Sequence, residues 1–234
     1  MTNNNMSYIF SLNCKKLRRK LPRSGLTAAL AVAVSIGVST DGHAAYPHTI
    51  TGSAGAVATD HELASQAGAE VLSKGGNAVD AAIAAALALG VVQPAGSGLG
   101  GGGFLLIRKN DGQVAAIDFR EVAPKLATRD MFLESGTGKV VPDRSRWGGL
   151  ASGVPGEAAG FAKALSEFGT LKPAQVIAPA LRLADRGFPV GRHLARSAAM
   201  VVPKLANDHP LRALLAPQGN ILTPGVTIRR PELA

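Results

Sequence analysis

Gly98-Leu99-Gly100-Gly101-Gly102-Gly103-Phe104-Leu105-Leu106-Ile107 is the stretch on which the fold turns. A glycine-rich loop beginning near Gly96 runs straight into an apolar strand. Asn110-Asp111-Gly112 then offers the φ freedom of a tight hairpin turn, and Val114 to Arg120 returns as the partner strand. Alternation along that strand puts Ile117 and Phe119 on one face and Asp118 and Arg120 on the other. Upstream, Asn77 caps a helix with Asp80 three residues on, and the helix continues through Ala81 to Leu89 with small apolar residues and no solvated face. Such a helix belongs between layers, close to a sheet. The order is therefore helix, loop, strand. The glycines match G-x-G-x-x-G at Gly96/Gly98/Gly101 and again at Gly98/Gly100/Gly103. A dinucleotide site needs strand, loop, helix, so that the pyrophosphate meets a helix amino terminus. The glycines are read instead as close approach of this backbone to a neighbouring segment or to substrate.

Working outward, Gly55-Ala56-Val57-Ala58 reads as a short buried strand, and Thr59 or Asp60 as the cap of a helix from about His61 to Lys74. Glu134 to Gly149 has loop composition, and Ser152-Gly153-Val154-Pro155-Gly156 is a turn. A helix runs from there to about Phe168, stopped by Gly169. Pro173 opens another that runs to Arg186, with Gly187 after its end. Shorter helical stretches are expected near His193–Leu205 and Pro210–Leu215, and Pro231-Glu232-Leu233-Ala234 resembles a first helical turn. Strands early and helices late give the layered pattern of an α/β or α+β domain.

The composition is globular: 46% of the 234 residues are apolar, 18% charged and 4% aromatic, which excludes a disordered or collagen-like chain. The net charge of +9 raises nucleic-acid binding as a class, but the excess is localised. Residues 1–44 hold six basic side chains against Asp41 alone; the remaining 190 residues carry 19 basic against 15 acidic. Aromatic platforms are scarce as well, so no nucleic-acid partner is expected. After the basic cluster comes an apolar run from Leu26 to Val38, too short to cross about 30 Å of hydrocarbon as a helix but of signal-peptide length. Residues 1–44 are read as an export signal cut after Ala44, with an uncut anchor as the alternative. Residues 45–234 follow as one partial domain, periplasmic or secreted, without a stable membrane span. The single cysteine, Cys14, lies in the signal.

No cofactor or metal is expected. His61-Glu62 begins like a zinc-protease helix, but Ser65 stands where the second histidine is needed. No G-x-S-x-G occurs, so a serine elbow is absent. The one charged feature of interest is Ile117-Asp118-Phe119-Arg120-Glu121, a guanidinium at a strand end beside the glycine loop, suited to gripping a carboxylate with two parallel hydrogen bonds. A local ion pair of Arg120 with Asp118 or Glu121 is the plainer reading of the residues alone, because most such pairs are solvated.

Four blocks resemble, in order, the signature segments of the γ-glutamyltranspeptidases: Gly75-Gly76-Asn77-Ala78-Val79-Asp80-Ala81-Ala82, Leu99-Gly100-Gly101-Gly102-Gly103-Phe104, Ile117-Asp118-Phe119-Arg120-Glu121-Val122-Ala123-Pro124 and Ser152-Gly153-Val154-Pro155-Gly156. The likeness runs from about Gly55 to the last residue. It implies an N-terminal-nucleophile hydrolase fold, an αββα sandwich of the α+β class, of which this chain resembles the beginning of the large subunit. It also implies a zymogen that cuts itself, and a threonine of the small subunit that attacks the γ-glutamyl amide of glutathione or a related compound. In that family the arginine of the third block holds the substrate α-carboxylate, a role that the resemblance carries over to Arg120; strand geometry, not the resemblance, makes Asp118 its expected orienting neighbour. This chain has no adjacent Thr-Thr pair. No catalytic residue is therefore assigned in it, and its expected partners are a γ-glutamyl substrate and the missing C-terminal part or small subunit. The other class of function is a non-catalytic γ-glutamyl-binding or scaffold module that keeps the glycine loop and Arg120.

Overall fold

A capping box starts the central helix. The Asn77 side chain accepts from the Val79 and Asp80 N–H groups, and the Asp80 carboxylate accepts from the Asn77 N–H at 2.9 Å. In the computed structural model, which describes residues 52–234, this helix is α2 (Ala78–Val92), preceded by α1 (Glu62–Ser73). The export-signal reading of residues 1–44, with Cys14, lies outside the described residues. After α2 come β1 (Phe104–Arg108), β2 (Val114–Asp118), α3 (Glu157–Phe168), α4 (Pro173–Arg186), β3 (Phe188–Pro189), α5 (Arg192–Val201), α6 (Pro210–Leu215) and β4 (Thr227–Ile228). Among the described residues the sheets are two antiparallel pairs, β1 with β2 and β3 with β4.

Most elements stand where their local signals put them. The β1–β2 register pairs Phe104 with Asp118 and Arg108 with Val114. Its turn is closed by Gly112 N–H donating to Lys109 C=O at 3.0 Å, with positive φ at Gly112 and not at Asn110 or Asp111. Gly169 ends α3, Pro173 opens α4, and Gly187 follows α4 at φ 92°.

Three expectations are corrected. Gly55–Ala58 is not a buried strand; Gly55, Ala56 and Ala58 are exposed and lie along a groove beside α1 and α2, because no described strand offers them hydrogen bonds. The cap of α1 is His61, whose Nδ1 accepts from the Leu63 N–H, while the Thr59 hydroxyl is taken by Ser65 and the His61 carbonyl. Glu134–Gly149 is not plain loop, since Leu133 bridges Val140 across a turn that holds Gly136 and Gly138 at positive φ.

Two apolar clusters hold these elements. One joins Val71, Val79, Ile83 and Ala84 to Ile117, Ala164, Leu165 and Val176, so the inner face of the hairpin rests on α2 and α3. Full burial of a side chain such as Ile83 contributes about 1.5–3 kcal/mol. The other joins α1, the last turns of α2, α4, Phe188, α5 and Ile228. The outer face of the hairpin is uncovered among the described residues, with Phe104 67% and Leu106 74% exposed. No described helix is long and apolar enough to cross a membrane.

Candidate functional site

Three of the four signature blocks meet at the end of β2. The Gly101 carbonyl accepts from the N–H groups of Gly156 and Glu157, at 3.0 and 3.1 Å, which ties the glycine loop to the first turn of α3. Phe119 N–H donates to the Gly103 carbonyl at 3.0 Å, and Val122 and Val154 exchange hydrogen bonds at 3.2 and 2.9 Å. The loop, the Asp118–Glu121 segment and the Ser152–Gly156 turn therefore form one backbone knot. Glycine is required where they cross. A Cβ on Gly102 would strike the Phe119 carbonyl and stand 2.8 Å from the Glu121 nitrogen. One on Gly156 would stand 2.8 Å from the Phe119 carbonyl carbon. The close-approach reading of these glycines describes a segment-to-segment contact.

Arg120 projects from this knot. β2 ends at Asp118, with one further hydrogen-bonded pair between Gly103 and Phe119, and the Asp118 carboxylate turns to accept the Arg120 N–H at 3.0 Å. Asp118 thus orients the Arg120 backbone without pairing its guanidinium. The guanidinium Nε donates to Glu121 Oε2 at 3.2 Å and is otherwise open, the side chain being 67% exposed. Phe119, on the opposite face, is packed edge-to-face on Phe161 of α3 with ring centroids 5.7 Å apart, which anchors the segment from behind.

Glu121, the partner of Arg120, lines a cleft of about 330 Å³ together with Ser97, Gly98, Gly100, Gly102 and Glu157 among others. The two carboxylates of the cleft differ. The Glu121 carboxyl is held below the usual glutamate range, chiefly by its own backbone N–H and further by Arg120 and the Gly102 N–H, against some desolvation. Glu157 is 6% exposed, and burial pushes its carboxyl up; the Gly98 N–H opposes this and the Glu121 charge adds to it. Nothing local in the sequence marks Glu157. An acidic residue in the first turn of a helix reads locally as a favourable partner for the helix dipole, and its burial comes only from the loop folded against it.

The fourth block, Gly75–Ala82, is not at this site. Asp80 is fully buried and accepts from Asn77 N–H, Thr170 N–H, the Thr170 hydroxyl and Leu171 N–H, which fastens α2 to the α3–α4 turn. Burial disfavours its charge, yet the hydroxyl and N–H donors outweigh that and hold its carboxyl below the usual aspartate range. His61 caps α1, and among the described residues no three His, Cys, Asp or Glu side chains come together as a metal site.

A sequence profile of the family described as Gamma-glutamyltranspeptidase matches residues 64–234. "Glutathione hydrolase 2" of Arabidopsis thaliana is 42% identical over 180 residues, 77% of this chain and 30% of that protein. "Glutathione hydrolase proenzyme" of Escherichia coli K12 is 41% identical over 212 residues, 90% of this chain and 36% of that protein. The chain thus spans about a third of the length of these relatives. Among solved structures, the crystal structure of the Helicobacter pylori gamma-glutamyltranspeptidase superposes with a TM-score of 0.75 at 38% identity, over 79% of this chain and 53% of that one.

Proposed function

The chain belongs to the γ-glutamyltranspeptidase family and carries part of its N-terminal-nucleophile hydrolase fold, and from that premise we propose that it supplies the carboxylate-binding part of a site for γ-glutamyl transfer and hydrolysis, with glutathione and related γ-glutamyl compounds as substrates. Arg120 is the binding residue. One observation carries this reading: the glycine loop, the end of β2 and the Ser152–Gly156 turn are knotted so that an exposed guanidinium, its backbone fixed by Asp118 and its packing by Phe119, is paired with Glu121, which lines a cleft. A planar fork presented on rigid backbone takes a carboxylate with two parallel hydrogen bonds.

The attacking threonine belongs, in this reading, to polypeptide outside these 234 residues, in a small subunit cut from the same proenzyme. Ser97 is the one hydroxyl lining the cleft, and no histidine or lysine lines it to take its proton. Residues 1–44 act as an export signal and residues 45–234 as the domain, which places the protein in the periplasm or outside the cell. A non-catalytic binding or scaffold role is the second reading. Its support is the Arg120–Glu121 pair, which already satisfies one edge of the guanidinium.

Calorimetric titration of the chain with L-glutamate tests the binding role of Arg120, and an assay on a chromogenic γ-glutamyl anilide tests where the nucleophile lies. The chain alone is expected to bind L-glutamate and to leave the anilide intact. Arg120→Ala should weaken binding by about 2–3 kcal/mol, or roughly 30- to 150-fold, the scale of hydrogen bonds to a charged group. Equal affinity in wild type and variant makes Arg120 structural, and turnover of the anilide by the pure chain overturns the assignment of the nucleophile.

A further inference from the structure

Glu157 stands in the wall between two spaces. On one side is the polar cleft lined by Glu121; on the other is an apolar groove lined by Leu87, Val91, Leu99, Ile177 and Leu181, in which Glu157 is the only charged side chain among the described residues. Its backbone N–H is fixed on the Gly101 carbonyl at 3.1 Å, so its carboxyl is held at the base of the glycine loop. The Glu121 carboxylate faces it there. Glu121 Oε1 and Glu157 Oε2 lie 3.5 and 3.8 Å from the point that a Cβ on Gly101 would occupy, while the other Glu121 oxygen, Oε2, takes the Arg120 Nε at 3.2 Å. Glu121 therefore has one oxygen toward Arg120 and one toward Glu157. Among the described residues no other titratable group faces Glu157: the loop presents the Gly98 N–H, and α2 and α4 present apolar side chains.

We infer that Glu157 is a positioning residue for Arg120, acting through Glu121: the charge on its carboxyl sets how strongly the guanidinium is held inward and how readily Arg120 receives an incoming carboxylate. This rests on the carboxylate-binding role given to Arg120 above. With Glu157 protonated, Arg120 faces a single countercharge and exchanges it for a ligand. With Glu157 ionised, two carboxylates share one guanidinium at the edge of a partly desolvated cleft, and an anionic ligand meets added repulsion. Burial and the neighbouring Glu121 charge place the change above the ordinary glutamate range, so carboxylate binding weakens as pH rises through it.

The test follows the Arg120 Nε–H signal by nitrogen-15 NMR across pH in the full chain, assigned by its loss in Arg120→Lys, alongside the Glu157 side-chain carboxyl by carbon-13 NMR. In the wild type the two should titrate with one midpoint. Glu157→Gln should remove that step from the Arg120 signal and Glu157→Asp should keep one, whereas an unchanged step in the Gln variant overturns the inference. If Glu157→Gln does not fold, the wild-type midpoints decide: coincidence supports the coupling and separate midpoints refute it. L-glutamate affinity of the wild type should fall about five- to tenfold over the same pH interval, the scale of one partly screened unit charge at several Å, and should stay flat in Glu157→Gln. Failure of the wild type to bind L-glutamate at any pH removes the Arg120 role proposed above, while the Nε titration still decides the Glu157–Arg120 coupling.

Discussion

Asp80→Ala is the substitution that most directly probes what holds the site's foundation together. Asp80 receives three short hydrogen bonds, from Asn77 N–H at 2.9 Å, Thr170 N–H at 3.0 Å and the Thr170 hydroxyl at 2.6 Å, and a longer one from Leu171 N–H at 3.4 Å. Alanine is the better helix former, so propensity would favour the variant slightly. The loss comes from the donors. Each buried donor left without an acceptor costs about 1–3 kcal/mol, and with water partly entering the vacated space the three short bonds together make about 3–5 kcal/mol. Against a typical total of about 5–15 kcal/mol, that is roughly a fifth or more of the stability of an ordinary domain. Urea unfolding followed by circular dichroism measures it, with an unchanged slope required for the comparison to hold. A loss below about 1 kcal/mol at constant slope refutes the account of Asp80 as the tie between α2 and the α3–α4 turn. Acid gives a second check. The native carboxyl sits below its ordinary range, so its contribution is complete above the unfolded value and is lost as pH falls through the native one. Asp80→Asn should flatten that acid arm of the stability curve while leaving its neutral part lower throughout.

Gly160 lies on the face of α3 where Phe119 packs, and a Cβ there would stand 2.6 Å from the Phe119 Cβ. In an open helix Gly→Ala stabilises by about 0.5–1 kcal/mol; here Gly160→Ala should instead destabilise by about 1–3 kcal/mol through overpacking, read as a fall in melting temperature, and a rise would refute the contact. Arg230→Ala removes a guanidinium that donates to the Gly90 and Val91 carbonyls at 2.8 and 3.0 Å, at a helix end with no basic residue of its own. Two lost bonds to a charged donor predict about 1.5–3 kcal/mol in the same unfolding assay, and faster amide exchange in the last turn of α2 than elsewhere in that helix.

Local signals were legible because their causes are local. Asn77 with Asp80, Gly169, Pro173 and Gly187 each act within a few residues, and each marks a helix end in the structure. Gly55–Ala58 was misread because a strand is defined by its neighbour, and its sequence names none. Thr59 and Asp60 have cap chemistry, but Ser65 and Gln93 engage them, so the imidazole of His61 takes the capping role. The Asp80–Thr170 tie spans 90 residues and the Arg230–Gly90 bond 140. No window of sequence contains either. Arg120 was visible as a charged strand end beside a glycine loop, whereas Glu157 was not, since an acid in a first helical turn is common and only the fold makes this one buried.

The hairpin shows how far the strand pattern itself can be taken. Phe104, Leu106 and Val114 share one face of β1–β2 with Ala116, Arg108 and Asp118, and Leu105, Ile107 and Ile117 share the other, so even the face that bears the charged ends carries more large apolar side chains than a half-solvated sheet needs. Only the second face is packed among the described residues, on α2 and α3. The first stands open, with Val114 62% exposed beside Phe104 and Leu106. A sandwich with helices outside and two sheets stacked inside asks for this arrangement: one face of each sheet meets helices and the other meets the second sheet. The uncovered face therefore points the same way as the family match. The outward row begins with Phe104 and Leu106 and ends beyond Asp118 at Arg120, so the residue proposed to bind the carboxylate stands at the margin of the hairpin's uncovered face.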